Sequence, residues 1–595
     1  MQCIGVNSLS DALTRKRKDS FPVIHLKMLA IAGKNKKRRN AFLGIPKSQC
    51  PPSRSFLSKG WKMDKVQQSR RTFLKTAAAV AAAAPLAGCG VMDAQAKDVT
   101  WNREADVVVL GYGNAGTNAA IEAHDAGASV IVLEKMSIGG GNVAVSAGGF
   151  VIPTNRDAYF TYLKSLYELS RSEWDEGILN VFCDESMKLG DWMKKLDPRA
   201  EVGVYGHAGY QQLPGADSVN KCSLRGVPGL KGGDRLFNTF DRAVKARNIP
   251  VLFNTPARKL VREGTQIIGV EALQGNRPIY IRAKKAVIIC TGGFQCNPEL
   301  MQKYIYGNPM SYLGSPGNTG DGLLMAQAAG SGLWHMNSVS APLGVQIPGL
   351  KSAINVVVRQ PSFIWVDQDG RRFVNEKKLD YHCSWMAVNV FDAINHRYPR
   401  IPCFMIMDKA YLDKGPLVFN GGSGYALNRE NYKWSRDNSK ELASGVIIEA
   451  PTLEALAKKL GMKDPEILKN QVARWNSDLK EKGIDTEYGR TLTADPKMKT
   501  VFAGRDVRNW SAPLAETGLY YAVKLVPVMY HTMGGPKKSV KAEVLDPYGK
   551  PIPRLFVAGE LGSTWGLTYQ GACANADAII FGRIAGREAA KLPSL

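Results

Sequence analysis

The 595-residue chain contains no CxxC and no CxxCH, and its ten cysteines are widely scattered. That absence removes the usual spacing of zinc, iron–sulfur and covalently attached haem sites, and no metal site is expected. Cys3, Cys50 and Cys89 fall near the N-terminus. The other seven, Cys183, Cys222, Cys290, Cys296, Cys383, Cys403 and Cys573, are odd in number and far apart, which excludes a disulfide framework as the organising device. Cys290 and Cys573 read as small buried residues rather than redox partners. A basic helix interleaved with aromatics is also missing. The net charge of +25 is concentrated in residues 1–96, where eighteen Lys and Arg face four Asp and Glu. The remainder is scattered, so nucleic-acid binding is not expected.

What is present begins with SRRTFLK at residues 69–75, followed by TAAAVAAAAPLAGCG. Twin arginines, a short apolar segment and a small-residue end resemble a Tat export signal, and the segment is too short and alanine-rich for a comfortable membrane span. Two processing outcomes remain open. Leu86 to Cys89 reads LAGC, a lipoprotein box that would leave Cys89 acylated as a lipid anchor; Ala94, Gln95 and Ala96 suit cleavage to a soluble periplasmic protein. Residues 1–62 are Lys/Arg-rich without clear periodicity, and signals belong at an N-terminus. They are therefore expected to be a mis-called extension, with 63–96 as the signal.

Residues 105–135 read ADVVVLGYGNAGTNAAIEAHDAGASVIVLEK. An apolar strand, Val107 to Leu110, runs into Gly111, Gly113, Ala115 and Gly116 and then a helix. The first glycine allows a tight turn, the second lets backbone approach a pyrophosphate, and the third lets helix pack on strand. The helix N-terminus is aimed at the phosphates. A second apolar run ends at Glu134, 23 residues after Gly111, placed to accept hydrogen bonds from a ribose, with Lys135 beside it.

The stretch that follows distinguishes FAD from NAD. GGGN (Gly139 to Asn142, with Gly140 and Gly141) and SAGG (Ser146 to Gly149, with Gly148) resemble the second glycine-rich loop of the fumarate reductase and succinate dehydrogenase flavoprotein family. KAVIICTGGF (285–294, with Thr291 and Gly292), GNTGDG (317–322, with Asp321), HTMGG (531–535), LFVAGE (555–560, ending at Glu560) and FGRIAG (581–586) follow in that family's order. The resemblance implies an α/β fold, a Rossmann-like (GR2-type) FAD-binding domain with an inserted α+β capping domain. The FAD-binding parts are expected at 97–345 and 511–595 and the cap at 346–510, which holds the amphipathic patterns TLEALAKKLG and ILKNQVARWNSDLKEKG. Ala574, in the small-residue turn before the last helix, is expected beside the flavin. The second loop reads NVAVSAGG without the histidine of covalently flavinylated members, so the FAD is expected to be noncovalent.

In fumarate reductases of this family, one arginine follows an RF-x-NE motif and a second lies in the C-terminal small-residue turn. Here RRFVNEKKLDYHCSW (371–385) puts the first position at Leu379 or Asp380, and the second falls at Tyr569. Tyr381 and Tyr569 instead resemble the active-site tyrosines of 3-ketosteroid dehydrogenases. A guanidinium makes a bidentate, charge-assisted pair with a carboxylate, whereas a phenol offers one neutral donor. The tyrosines therefore suit a ketone oxygen, while Lys377, Lys378 and His531 keep a monoacid enoate open. The expectation is an exported enzyme that reduces the C=C bond of an α,β-unsaturated carbonyl compound. Tyr381 would give the proton, and Tyr569 and His531 would stabilise the enolate oxygen. Electrons would come from an external c-type cytochrome or quinol system. A ketosteroid-type dehydrogenase, a fumarate or enoate reductase and a noncatalytic electron-relay flavoprotein are the alternatives. N-terminal sequencing of the unprocessed precursor is expected to start at Met63; a precursor starting at Met1 overturns the extension reading.

Overall fold

The computed structural model describes residues 94–95, 99–230, 232–307, 309–358, 360–418, 423–493 and 510–595. Met63, the twin arginines and Cys89 lie outside the described residues. Arg103–Leu110 is the inner strand of a nine-stranded sheet and is fully buried from Val107 onward. It pairs parallel with Val130–Leu133 on one side and with Arg277–Ile289 on the other. Val251–Leu252 and Pro551–Val557 extend the parallel part at its two flanks. These strands are near-continuous runs of Val, Ile and Leu because apolar layers cover both faces.

The carboxyl ends of the parallel strands converge. Leu110 leads to Gly111, Leu133 to Glu134, Ile289 to Thr291 within two residues, and Val557 to Glu560 within three. In an open α/β sheet that is where a ligand binds. The helices Asn114–Asp125 and Cys573–Lys591 lie over this edge and meet through glycines. A Cβ on Gly582 would come 2.5 Å from the carbonyl oxygen of Ala115, and one on Gly586 would overlap that of Ala119. Only hydrogen at these positions allows the helices so close.

The capping layer is built on Tyr520–Met529, which pairs antiparallel with Cys403–Asp408 and Ile447–Ala450 and further along with Leu343–Val345. The cap sheet thus takes strands from both sides of the 346–510 insertion expected from sequence, because its longest strand follows the insertion. The two amphipathic patterns form Leu453–Lys459, capped by Thr452, and Pro465–Lys482, capped by Asp464 and ended by Gly483. Their apolar faces, including Leu456, Leu468, Val472 and Trp475, cover one side of that sheet.

Beneath the RF-x-NE segment lies a fully buried charge cluster. Glu376 meets Arg372 at 3.0 Å and Arg490 at 3.2 Å, and Arg372 also meets Asp485 at 2.7 Å. Burial alone would raise the Glu376 carboxyl, but the two guanidiniums hold it below its usual range. The cluster fixes the start of the 377–382 segment, which closes over the strand ends. Gly586→Leu is expected to push the two glycine-packed helices apart, costing about 1–3 kcal/mol and weakening flavin retention. Urea unfolding together with bound-flavin absorbance checks this.

Candidate active site

One cavity of about 1380 Å³ runs from the first glycine turn to the cap. Every expected cofactor or catalytic residue lines it except Gly116 and Gly140. Gly116 stands behind the turn, where a Cβ would overlap the carbonyl oxygen of Gly111. Gly140 adopts φ +109° and donates its N–H to the Tyr112 carbonyl, 2.9 Å away, which starts the short helix Gly141–Val145. Both shape the loops without facing the ligand space.

The residues fit FAD. A Cβ on Gly113 would meet only the Gly140 carbonyl, at 3.9 Å, so the space beside it is open where the pyrophosphate is expected. Thr291 lines the cavity with a buried Oγ1 that has no hydrogen-bond partner among the described residues. Glu134 is buried and accepts N–H bonds from Tyr112 (2.9 Å) and Met136 (2.8 Å). Burial raises its carboxyl above the usual range against these bonds. Lys135 donates to Asp321 (2.8 Å) and Thr319 (2.6 Å), tying the 317–322 turn to the end of the second strand. Glu560 accepts from Asn142 (2.6 Å) and Asn318 (3.2 Å) and from the Thr532 N–H (3.3 Å). Burial pushes its carboxyl up to about 8 despite these donors.

At the cap end the three expected catalytic residues share one wall. Tyr381 opens a 3-10 turn capped by Asp380, whose Oδ1 accepts the His382 N–H at 2.9 Å. The Tyr381 hydroxyl takes a hydrogen bond from the Asn355 side-chain amide and lies 3.1 Å from that of Tyr530. The rings of His382 and His531 stand edge-on to Tyr569 at 5.3 and 5.2 Å.

One expectation changes. His531 was expected to help attract a carboxylate, but burial drives its imidazole down to about 4, so near neutrality it offers hydrogen bonding without charge. Ala574 lines the cavity, and its N–H donates to the Tyr569 hydroxyl at 2.9 Å. The helix has no side-chain cap at Ala572, and Tyr569 satisfies one of its orphan donors. Burial also lifts the Tyr569 phenol well above its ordinary range, so it keeps its proton.

Sequence reasoning missed Tyr530, Asn355, His382 and Lys221, and it met Asp380 only as a possible arginine position; all five line this cavity. Tyr530 and His382 each adjoin a residue singled out from sequence. Asn355 and Lys221 come from distant strands, and nothing local marked them. Gly113→Ala and Gly116→Ala are expected to differ in kind. The first fills the open ligand space and lowers FAD affinity at least about tenfold with little loss of stability. The second strains the turn and lowers thermal stability whether or not flavin is added. Flavin titration and melting curves separate them.

The sequence matches the family described as FAD binding domain over residues 106–575, and a twin-arginine translocation signal over 67–87. Among the described residues, no helix is long and apolar enough to cross a membrane. The chain is 31% identical to a fumarate reductase (cytochrome) of Shewanella frigidimarina, over 82% of its own length and 77% of the relative's. It is 27% identical to a urocanate reductase of Eggerthella lenta, over 82% and 75%. Its fold matches the 3-ketosteroid Δ1-dehydrogenase of Sterolibacterium denitrificans with a TM-score of 0.70 at 22% identity, covering 82% of this chain and all of that one. With strand ends, glycine turns and buried carboxylates arranged around one cavity, the chain belongs to the FAD binding domain family and is a FAD-dependent oxidoreductase carrying a Tat export signal.

Proposed function

We propose that this exported flavoenzyme reduces the C=C bond of an α,β-unsaturated carbonyl compound, using noncovalent FAD and electrons from an external c-type cytochrome or quinol system. The observation that carries the reading is the Tyr381 hydroxyl, bonded to Asn355 and Tyr530, in the wall of the same cavity that the dinucleotide turn opens. When bound, reduced FAD supplies the hydride. Tyr381 holds a proton at its Oη for the α-carbon, and Asn355 and Tyr530 fix that oxygen in place. Tyr569 keeps its proton and is positioned to donate toward an oxygen that becomes negative, with neutral His531 as second donor. The enoate-reducing relatives favour reduction and leave a carboxylate on the substrate within the class. No histidine lies in the NVAVSAGG loop, which supports noncovalent attachment.

Tyr381 and Tyr569, which stand where 3-ketosteroid dehydrogenases carry tyrosines and both line the cavity, favour a second reading, oxidation of a saturated ketone with electrons passed outward. Anaerobic mixing decides between them. Reduced enzyme is expected to be reoxidised by an α,β-unsaturated ketone or enoate faster than by buffer, whereas flavin reduction by a saturated ketone selects the dehydrogenase. Tyr381→Phe is expected to slow flavin reoxidation by about 10²-fold or more while flavin binding is retained. Reoxidation at the wild-type rate in that variant removes Tyr381 as the proton donor.

A further inference from the structure

Each reduction takes a proton from the wall of the cavity, and the reading above assigns that proton to Tyr381. The resulting phenolate would lie in a largely buried site, where an unpaired charge is costly, so the hydroxyl must be restored before the next turnover. Two of its hydrogen-bond neighbours are poor sources: Asn355 carries an amide, and Tyr530 is a phenol that burial lifts above its ordinary range. His531 is held neutral by burial.

The remaining imidazole, His382, is differently placed. Its side chain is 18% exposed along the cavity wall, while that of its neighbour Asp380 is 5% exposed. Asp380 Oδ1 accepts the His382 backbone N–H at 2.9 Å and faces the ring Nδ1 at 3.4 Å. Asp380 stays ionised because His382 and the buried Lys221 outweigh the cost of its burial. The imidazole stands edge-on to Tyr381 at 5.5 Å between ring centroids and lies 5.9 Å from Tyr530 and 5.3 Å from Tyr569. Gly571 makes room for it, since a Cβ there would overlap the imidazole carbon between the two nitrogens. Among the described residues, the titratable groups around the ring include Asp380, Tyr381, Tyr530, Tyr569 and His531, and Tyr162, Tyr210 and Lys221 act on Asp380.

We propose that Asp380 and His382 form a proton-supply pair that restores the Tyr381 hydroxyl between turnovers, which rests on Tyr381 being the donor in the reduction. The balance is simple. The Tyr381 O–H breaks as the α-carbon C–H forms; an imidazolium N–H then breaks as the phenol O–H re-forms. A proton from bulk solvent, carried in by water after product leaves, recharges the imidazole, so one solvent proton is consumed per reduction and no electrons move in this part of the cycle. Asp380 stabilises the charged ring and sets its orientation, as a carboxylate beside a histidine does elsewhere.

The pair makes separable demands on one turnover and on many. His382→Gln and Asp380→Asn holoenzymes, reduced and mixed anaerobically with an enone or enoate that reoxidises the wild-type flavin, are expected to lose far less in the first reoxidation than in continued turnover. Under steady state with excess reduced viologen, both are expected to fall at least about tenfold, and added imidazole is expected to restore His382→Gln. A steady-state rate equal to wild type in both variants overturns the proposal. So does a first turnover slowed as much as the steady state, or a loss that imidazole does not relieve. If His382→Gln fails to retain FAD, the same comparison in Asp380→Asn decides. Tyr381→Phe is run alongside: an undiminished first turnover there defeats the tyrosine reading itself, whatever the pair does.

Discussion

Everything around the cavity depends on how closely backbone meets backbone at the first strand–helix turn. Gly116 packs on the carbonyl of Gly111, which seats the helix Asn114–Asp125 against its strand. That helix in turn presents Ala115 and Ala119 to Gly582 and Gly586 of the C-terminal helix. The second helix is therefore placed by contacts at glycine, and its N-terminus arrives at the cavity with Tyr569, Gly571 and Ala574. A side chain at any of these glycines would act at a distance from the chemistry, by moving the helix that carries it.

The cap is held by a different force. Arg372, Arg490, Glu376 and Asp485 are removed from water, and their attraction has to offset the large cost of desolvating four charges. Such a cluster adds little net stability but tolerates few alternative arrangements. The segment that leaves it, Lys377 to His382, runs on to line the cavity. The arginine in RF-x-NE thus works inside the cap, while phenol and imidazole face the ligand space.

The dinucleotide half was legible in sequence because its determinants are local. Glycines at fixed offsets, a β-branched run before them and an acid after the second strand each report a backbone requirement within a few residues. The turn-shaping roles of Gly116 and Gly140 were less visible, since spacing does not show which glycine faces the ligand. The cap sheet was only partly readable: Tyr520–Met529 has the length and apolarity of a strand, but its partners lie far away in sequence. His531 was found by motif and misjudged in charge, because burial is a property of the assembled fold. Asp380 was seen only as a residue in an arginine's place, and His382 passed unnoticed, since a buried acid next to a histidine looks like any exposed polar pair until Lys221 and Gly571 close around it.

The long cap strand Tyr520–Met529 does not stop at the cap. Its next residues are Tyr530, then His531 and Thr532, which pair with Val339–Ser340, and the Thr532 N–H reaches Glu560. The roof and the floor of the cavity are therefore one piece of polypeptide at this edge, joined by covalent bonds rather than by a seam. At this edge Tyr530 and His531 are placed at once by the cap strand before them and by the Val339–Ser340 pairing beside them, so cap and reacting centre share one geometry here.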